Sequence, residues 1–234
     1  MILAGLSCFS YAGEQFGVDV PPLPAGLATA DSGVLSIGFT KTSGTVIPSN
    51  FSFRTIPQQS FYVGEKMTFS VRYTGIPCGE LILTVAEQTT YKSRPVYVLH
   101  AHLYTNRAFS FIYEVSDTLT SYMDVEGLFS WKYIKEIHEK RFRGDPEDTV
   151  DVYEYDQAGG HWTANGNDRG EILPWTQDML SSIYYLRCVE WSGETDLVRS
   201  PLNDTKKNYD MVFELGKIKR MRMAREWIDA RVGK

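Results

Sequence analysis

Between Lys66 and Tyr73 the chain changes polarity at every residue. Met67, Phe69, Val71 and Tyr73 fall on one side of an extended backbone, and Lys66, Thr68, Ser70 and Arg72 on the other. Successive side chains leave a pleated strand on opposite faces, so period two marks a strand with one face on a core and one in solvent. Strand-length runs recur: "ELILTVAEQ", "VYVLHAHLYT", "AFSFIYEVSDTLTSYMD", "LFSWKYIKEIHEKRFRG" and "DTVDVYEYD", separated by turn residues in "GIPCGE", "SRP" and "AGGH". Pro77 has no amide to give a ladder, and Gly75 and Gly79 permit backbone angles closed to other residues. No connection has room for a crossover helix, so neighbours in sequence are predicted to be antiparallel neighbours in space. The fold class that follows is mainly β: a curved antiparallel sheet, or a partly open barrel or sandwich, with one helix packed on it.

That helix is predicted in "PWTQDMLSSIYYLRCVEW", from Trp175 to Trp191. Met179, Ile183 and Leu186 share a side at helical spacing, flanked by Leu180 and Tyr184. Thr176 is a suitable N-cap, Asp178 suits the first turn, and Gly193 is a plausible stop. After it, "KNYDMVFELGKIKRMRMAREWIDARVGK" returns to strand texture, and "EWIDARVGK" resembles the first half of a hairpin lacking its second.

Residues 1–12 form an apolar stretch of signal-peptide length, and Ser10-Tyr11-Ala12 fits a small-x-small cleavage site with the cut after Ala12. No Lys or Arg precedes it. Cys8 offers lipid attachment instead, although Gly5 occupies the place where a lipoprotein signal has Leu, and a buried N-terminal strand or helix is the third reading. The run is too short for a stable membrane span. Residues 13–60, rich in Pro, Gly, Ser and Thr from Glu14 onward, lack sustained periodicity and form a linker or loosely packed arm, in which "VLSIGF" is able to add an edge strand. Residues 61–234 make a single antiparallel domain.

Aromatic residues make up 13%, with Tyr 14 and Phe 12, a composition that favours strands. The formal charge of −5 offers no electrostatic footprint for nucleic acid, which needs a basic surface against its phosphates. If the leader is removed, Cys78 and Cys188 are the remaining thiols; an oxidising compartment permits a bridge, and two separate half-buried thiols are the alternative.

Three blocks, "FYVGEKMTFSVRYTGIPCGELILTV", "YTNRAFSFIYEVSDTLTSYMD" and "QDMLSSIYYLR", resemble in that order the signature blocks of the bacterial exported family called domain of unknown function 3108. The resemblance covers about Phe61 to Lys234. It implies an all-β fold with little helix and export in a Gram-negative bacterium, hence a periplasmic or outer-membrane-associated location. It also implies a continuation beyond Lys234, so truncation at the C-terminus is expected. It adds no catalytic residue.

The chemistry-bearing residues divide into weak candidates. Glu114, Asp117 and Asp124 recur along strands, but paired glycosidase acids must face each other across roughly 5–9.5 Å. Glu114 falls on the solvated side with Ile112 and Ser116, opposite Phe109, Phe111, Tyr113 and Val115, and Asp117 falls where a turn backbone is a common partner. His100 and His102 share a strand face at a workable metal-ligand spacing, with a third ligand to be sought in His138, His161 or an acid; the solvated face of a strand explains them equally. Ser181 and Ser182 are helical and lack a nucleophile-elbow frame. "GNDRGE" and "DQAGG" are turns without the strand-to-helix setting of phosphate loops. The basic run Lys217, Lys219, Arg220, Arg222 and Arg225 alternates with Ile218, Met221 and Met223, as a solvated face or a contact for anionic lipid or glycan.

A curved sheet beside a helix either fills its concavity or leaves a ligand cavity. The candidate lining is Phe69, Val71, Tyr73, Phe109, Phe111, Tyr113, Trp131, Ile183 and Tyr184. The leading expectation is a non-catalytic envelope protein, without cofactor, that binds a lipid or amphipathic small molecule or helps place lipid or polysaccharide. The alternatives are a scaffold with a filled core that binds another envelope protein, and a hydrolase using unrecognised acids.

Overall fold

The computed structural model describes residues 51–190 and 197–213, and the backbone of strands Phe16–Asp19 and Gly38–Lys41 and of the strand residues 214–223 and 226–233. One antiparallel sheet runs in the order β1 (Phe16–Asp19), β3 (Lys66–Tyr73), β4 (Ile76–Tyr91), β5 (Arg94–Thr105), β6 (Tyr113–Asp124), β7 (Ser130–Arg141), β8 (Glu147–Asp156), β9 (His161–Ala164), β10 (Asp168–Glu171). A second sheet holds β11 (Leu197–Asp204), β12 (Lys207–Met223) and β13 (Glu226–Gly233), with β2 (Gly38–Lys41) paired to β12. From β3 to β10 each strand pairs with its successor, as the short connections require. The order leaves β1 and β10 as edges, so the sheet is open.

The hairpins turn on left-handed residue pairs. Lys92 and Ser93 have φ of 46° and 62°, and Thr205 and Lys206 have 49° and 62°. Two successive left-handed residues form the type I′ turn whose twist matches that of the flanking strands. The β3–β4 turn is Thr74-Gly75, so the predicted turn "GIPCGE" is corrected: Ile76 onward is already strand. Pro77 sits beside a register shift between Val71 and Arg72, where a missing amide is tolerated. Gly79 has another reason for being glycine, because a Cβ there would lie 2.3 Å from the Tyr104 carbonyl oxygen on β5.

Three further expectations are corrected. The strand expected from Ala108 begins at Tyr113, because the Asn106 side chain accepts from the amides of Ala108 and Phe109, both at 3.1 Å, and starts a tight turn. The helix α1 is Met179–Cys188 with Asp178, not Thr176, as N-cap. Its buried residues are Met179, Leu180, Ser181, Ser182 and Tyr184, while Ile183 and Leu186 are only half-buried, so the buried stripe is displaced from the predicted one. The cap explains the displacement, since anchoring Asp178 between strands turns Leu180 and Tyr184 inward. Gly193 lies outside the described residues. Finally, "EWIDARVGK" is the second half of a hairpin: β13 pairs antiparallel with β12 from Met223↔Glu226 to Leu215↔Gly233.

The covered face of the large sheet meets α1 and the second sheet. Leu83, Leu99, Met123, Tyr133, Tyr153, Tyr155 and Tyr184 are all buried there. The second sheet is tied in by Lys135 with Asp204 at 3.2 Å, and by backbone bonds from Gln177 to Pro201 and from Asn203 to Gln177, each 2.9 Å.

Candidate functional site

The three acids of the Thr105–Asp124 block serve separate structural purposes. Glu114 is exposed, as its face predicts. Asp117 and Asp124 lie seven residues apart on one strand, about 23 Å at 3.3 Å per residue, far beyond the reach of a paired-acid mechanism. Asp124 receives Arg94 Nε at 2.5 Å and Nη2 at 3.0 Å, Trp131 Nε1 at 2.9 Å and the Gly127 amide at 2.7 Å. Burial alone would push its carboxyl up, but these donors outweigh it and hold it below the ordinary range.

Asp117 behaves oppositely. It points into the covered face rather than to a turn, 1% exposed, and accepts the His138 amide on β7 at 3.0 Å. Burial pushes it up to about 7, the His138 amide opposes that, and the neighbouring Glu139 adds to it. Glu139, itself 7% exposed, accepts a hydrogen bond from Tyr113. This carboxyl pair escaped the sequence reading because its members are joined only by the pairing of β6 with β7. The available signal was that both acids occupy core-facing places in their alternations.

Asp178 closes the joint between sheet and helix. It accepts from Ser121 Oγ at 2.6 Å, Ser130 Oγ at 2.5 Å, and the amides of Leu180 and Ser181 at 2.8 and 2.7 Å. Burial nevertheless pushes its carboxyl up. Ser181 accepts the Asp178 amide at 2.9 Å, a reciprocal capping box, and Ser182 donates to Met179 O at 2.8 Å. Both serines are thus occupied in holding a helix end. His100 Nδ1 lies 3.0 Å from Thr120 Oγ1 and His102 Nε2 3.4 Å from Ser116 Oγ. Among the described residues no group of three or more His, Cys, Asp or Glu is placed to hold a metal. Cys78 and Cys188 are free thiols that donate to Val71 O and Tyr184 O, each at 3.3 Å. Burial pushes both up, Cys188 to about 11, so neither carries the thiolate that nucleophilic chemistry needs.

Of the nominated cavity lining, Val71 and Tyr184 belong to the main core, and Phe69, Tyr73, Phe109, Tyr113 and Ile183 pack half-buried against it. Trp131 sits in a separate small cluster with Val96 and Phe129. Phe111 is 65% exposed, because it belongs to the Asn106-capped turn rather than to a strand.

A cleft of about 440 Å³ lies between the arm that precedes β3, the segment between β10 and α1, and β11. Its walls are Phe51, Leu173, Pro174, Trp175 and Pro201, with Arg54, Arg199 and Ser200 supplying polar groups. Trp175 has φ +60°, a left-handed conformation that costs a bulky residue roughly 1–2 kcal/mol, and its indole donates to Ser52 O at 3.3 Å. Arg54 is fastened by Nε to Gly127 O at 2.7 Å and by Nη2 to Leu128 O at 3.1 Å, with its guanidinium 5.3 Å from the Trp175 ring centre. Burial lowers its pKa. Arg199 is exposed and pairs with Asp210 at 2.8 Å. Ser200 is 2% exposed, and its hydroxyl has no hydrogen-bond partner among the described residues. Three separate segments build this cleft, so no local motif announces it.

The architecture defines an open, all-antiparallel two-sheet protein with a single described helix set into a buried polar joint. The chain belongs to the family described as Protein of unknown function (DUF3108), whose family model matches residues 68–222. The match includes Asp117, Ser121, Asp124 and Asp178, the residues that staple the helix and the central strands. No curated protein and no solved structure matches this chain.

Proposed function

We propose that this is an exported, non-catalytic cell-envelope protein that holds an amphipathic ligand and takes part in placing lipid or polysaccharide. One observation carries the reading: the cleft combines an apolar wall of Phe51, Pro174, Trp175 and Pro201 with two guanidinium groups and a buried hydroxyl. Its volume of about 440 Å³ falls within the range of small-molecule sites, which are mostly apolar with a few placed polar groups. An acyl or ring system would lie along the wall with its polar end at Arg199 and Ser200. The apolar residues 1–12 support export.

Native mass spectrometry of protein purified from cells should find a copurified amphipath, and titration with dodecyl phosphate should saturate. Trp175→Ala and Arg199→Ala should each weaken that binding about tenfold, the loss of one good contact. Absence of both copurified ligand and saturable binding would overturn the reading. The scaffold alternative would then stand, favoured by the dense filling of the sheet's covered face with buried tyrosines.

A further inference from the structure

The chain holds one Asn-Gly pair, Asn165-Gly166, at the tip of the β9–β10 hairpin. Both residues are left-handed, with φ of 51° and 70°, and the Asn167 amide donates to Ala164 O at 3.1 Å across the turn. Asn and Gly enter this conformation at the least cost, which suits them to a type I′ turn. Asn165 is also bonded to β8. Its backbone amide donates to Val152 O at 2.9 Å, its Oδ1 accepts the Val152 amide at 2.8 Å, and its Nδ2 donates to Asp151 Oδ1 at 2.8 Å. The strands pair from Tyr153↔Ala164 to Asp156↔His161, so the carboxamide carries the β8–β9 ladder one step further. Residues 165–169 are all exposed, and nothing lies within 4 Å of where a Gly166 Cβ would stand. The turn is open to water, and Gly166 has no side chain to screen its backbone nitrogen.

We propose that Asn165 is a deamidation site that acts as a one-way release for the β9–β10 hairpin. The Gly166 nitrogen bonds to Asn165 Cγ, the Cγ–Nδ2 bond breaks, and Nδ2 leaves as ammonia with the Gly166 amide proton. Water then opens the cyclic imide, at one carbonyl to aspartate and at the other to isoaspartate; nothing is oxidised or reduced. While the hairpin is docked, the bonds to Asp151 and Val152 fix the carboxamide on β8, so the reaction waits for the hairpin to open. Afterwards the closed form is disfavoured. The new carboxylate has no N–H for Asp151 and meets it as a like charge. Asp168 adds a further acid at this end; of the cations there, Arg169 and Lys206, the latter is already paired with Asp168 at 2.5 Å. Isoaspartate also lengthens the backbone by one carbon, which changes a turn whose length sets the hairpin register. The site is separate from the cleft and does not depend on what the cleft holds.

The test is incubation of the full chain, folded and in urea, at one mildly alkaline pH, with conversion of Asn165 read by peptide mass mapping. Asn165 should convert at least about tenfold more slowly in the folded chain, because the folded rate is limited by local opening. Asp151→Ala, which removes the acceptor of Nδ2, should speed the folded reaction several-fold. Asn165→Asp, which is the aspartate product, should raise amide exchange in β9 and β10 about tenfold and leave β5, β6 and β7 unchanged. Equal conversion in the folded and unfolded chain would overturn the proposal. So would wild-type conversion in Asp151→Ala, because the bond to β8 would then not restrain the carboxamide. Wild-type exchange in β9 and β10 of Asn165→Asp would overturn it too, since the product would release nothing.

Discussion

Asp117 is a titrating group held inside a packed face, and that has a measurable consequence. Its folded value of about 7 lies above the ordinary 3.8, so between those limits the folded chain holds a proton that the unfolded chain has released. Linkage makes stability fall wherever the folded state binds more protons, so this contribution is present below about pH 4 and is lost as pH rises through 7. Three pKa units correspond to at most about 4 kcal/mol. Asp117→Asn keeps a carbonyl to accept the His138 amide and removes the titration. Urea unfolding between pH 5 and pH 8 should therefore show falling stability in the wild type and a flatter profile in the variant; parallel profiles would reject this assignment. The alternation of β6 already shows that Asp117 and Val115 share a face. What it does not show is that Glu139 meets that face from the neighbouring strand, because a cross-strand neighbour depends on register.

At the scale of elements, α1 shows how a cap decides which face a helix buries. Its sequence predicts Met179, Ile183 and Leu186 inward, but Asp178 is fixed by Ser121 on β6 and Ser130 on β7, and that anchor keeps Met179 buried while selecting Leu180 and Tyr184 over Ile183 and Leu186. Leu180→Ala should cost about 2–5 kcal/mol as a large-to-small change in a filled core, and Ile183→Ala less than half as much. Denaturant midpoints of the two variants check the order, and equal costs would argue for the face predicted by spacing alone. The helix itself was legible from its apolar spacing and its polar first turn. Its rotation was not, since the two serines that hold the cap are 57 and 48 residues away in sequence.

For the molecule as a whole, the sheet is a meander whose central strands β5, β6 and β7 are paired on both sides along most of their length. Amide exchange should be slowest there and fastest in β9 and β10, short strands of 4 residues each at one edge. Equal protection across the sheet would contradict this pairing order. The sequence by itself determined the class of fold, because period-two alternation bounded by short turns admits antiparallel neighbours and little else. It determined family membership through the three blocks, and it placed Glu114 in solvent through its face of the strand. Tertiary structure alone decided the rest. The cleft of Arg54, Trp175 and Ser200, the meeting of the Phe111 and Phe142 turns, and the bonding of Gln177 to Pro201 and Asn203 each join residues from separate segments. Local periodicity records which way a side chain faces, whereas what it meets there is set by strand register and by how the sheets and the helix close on one another.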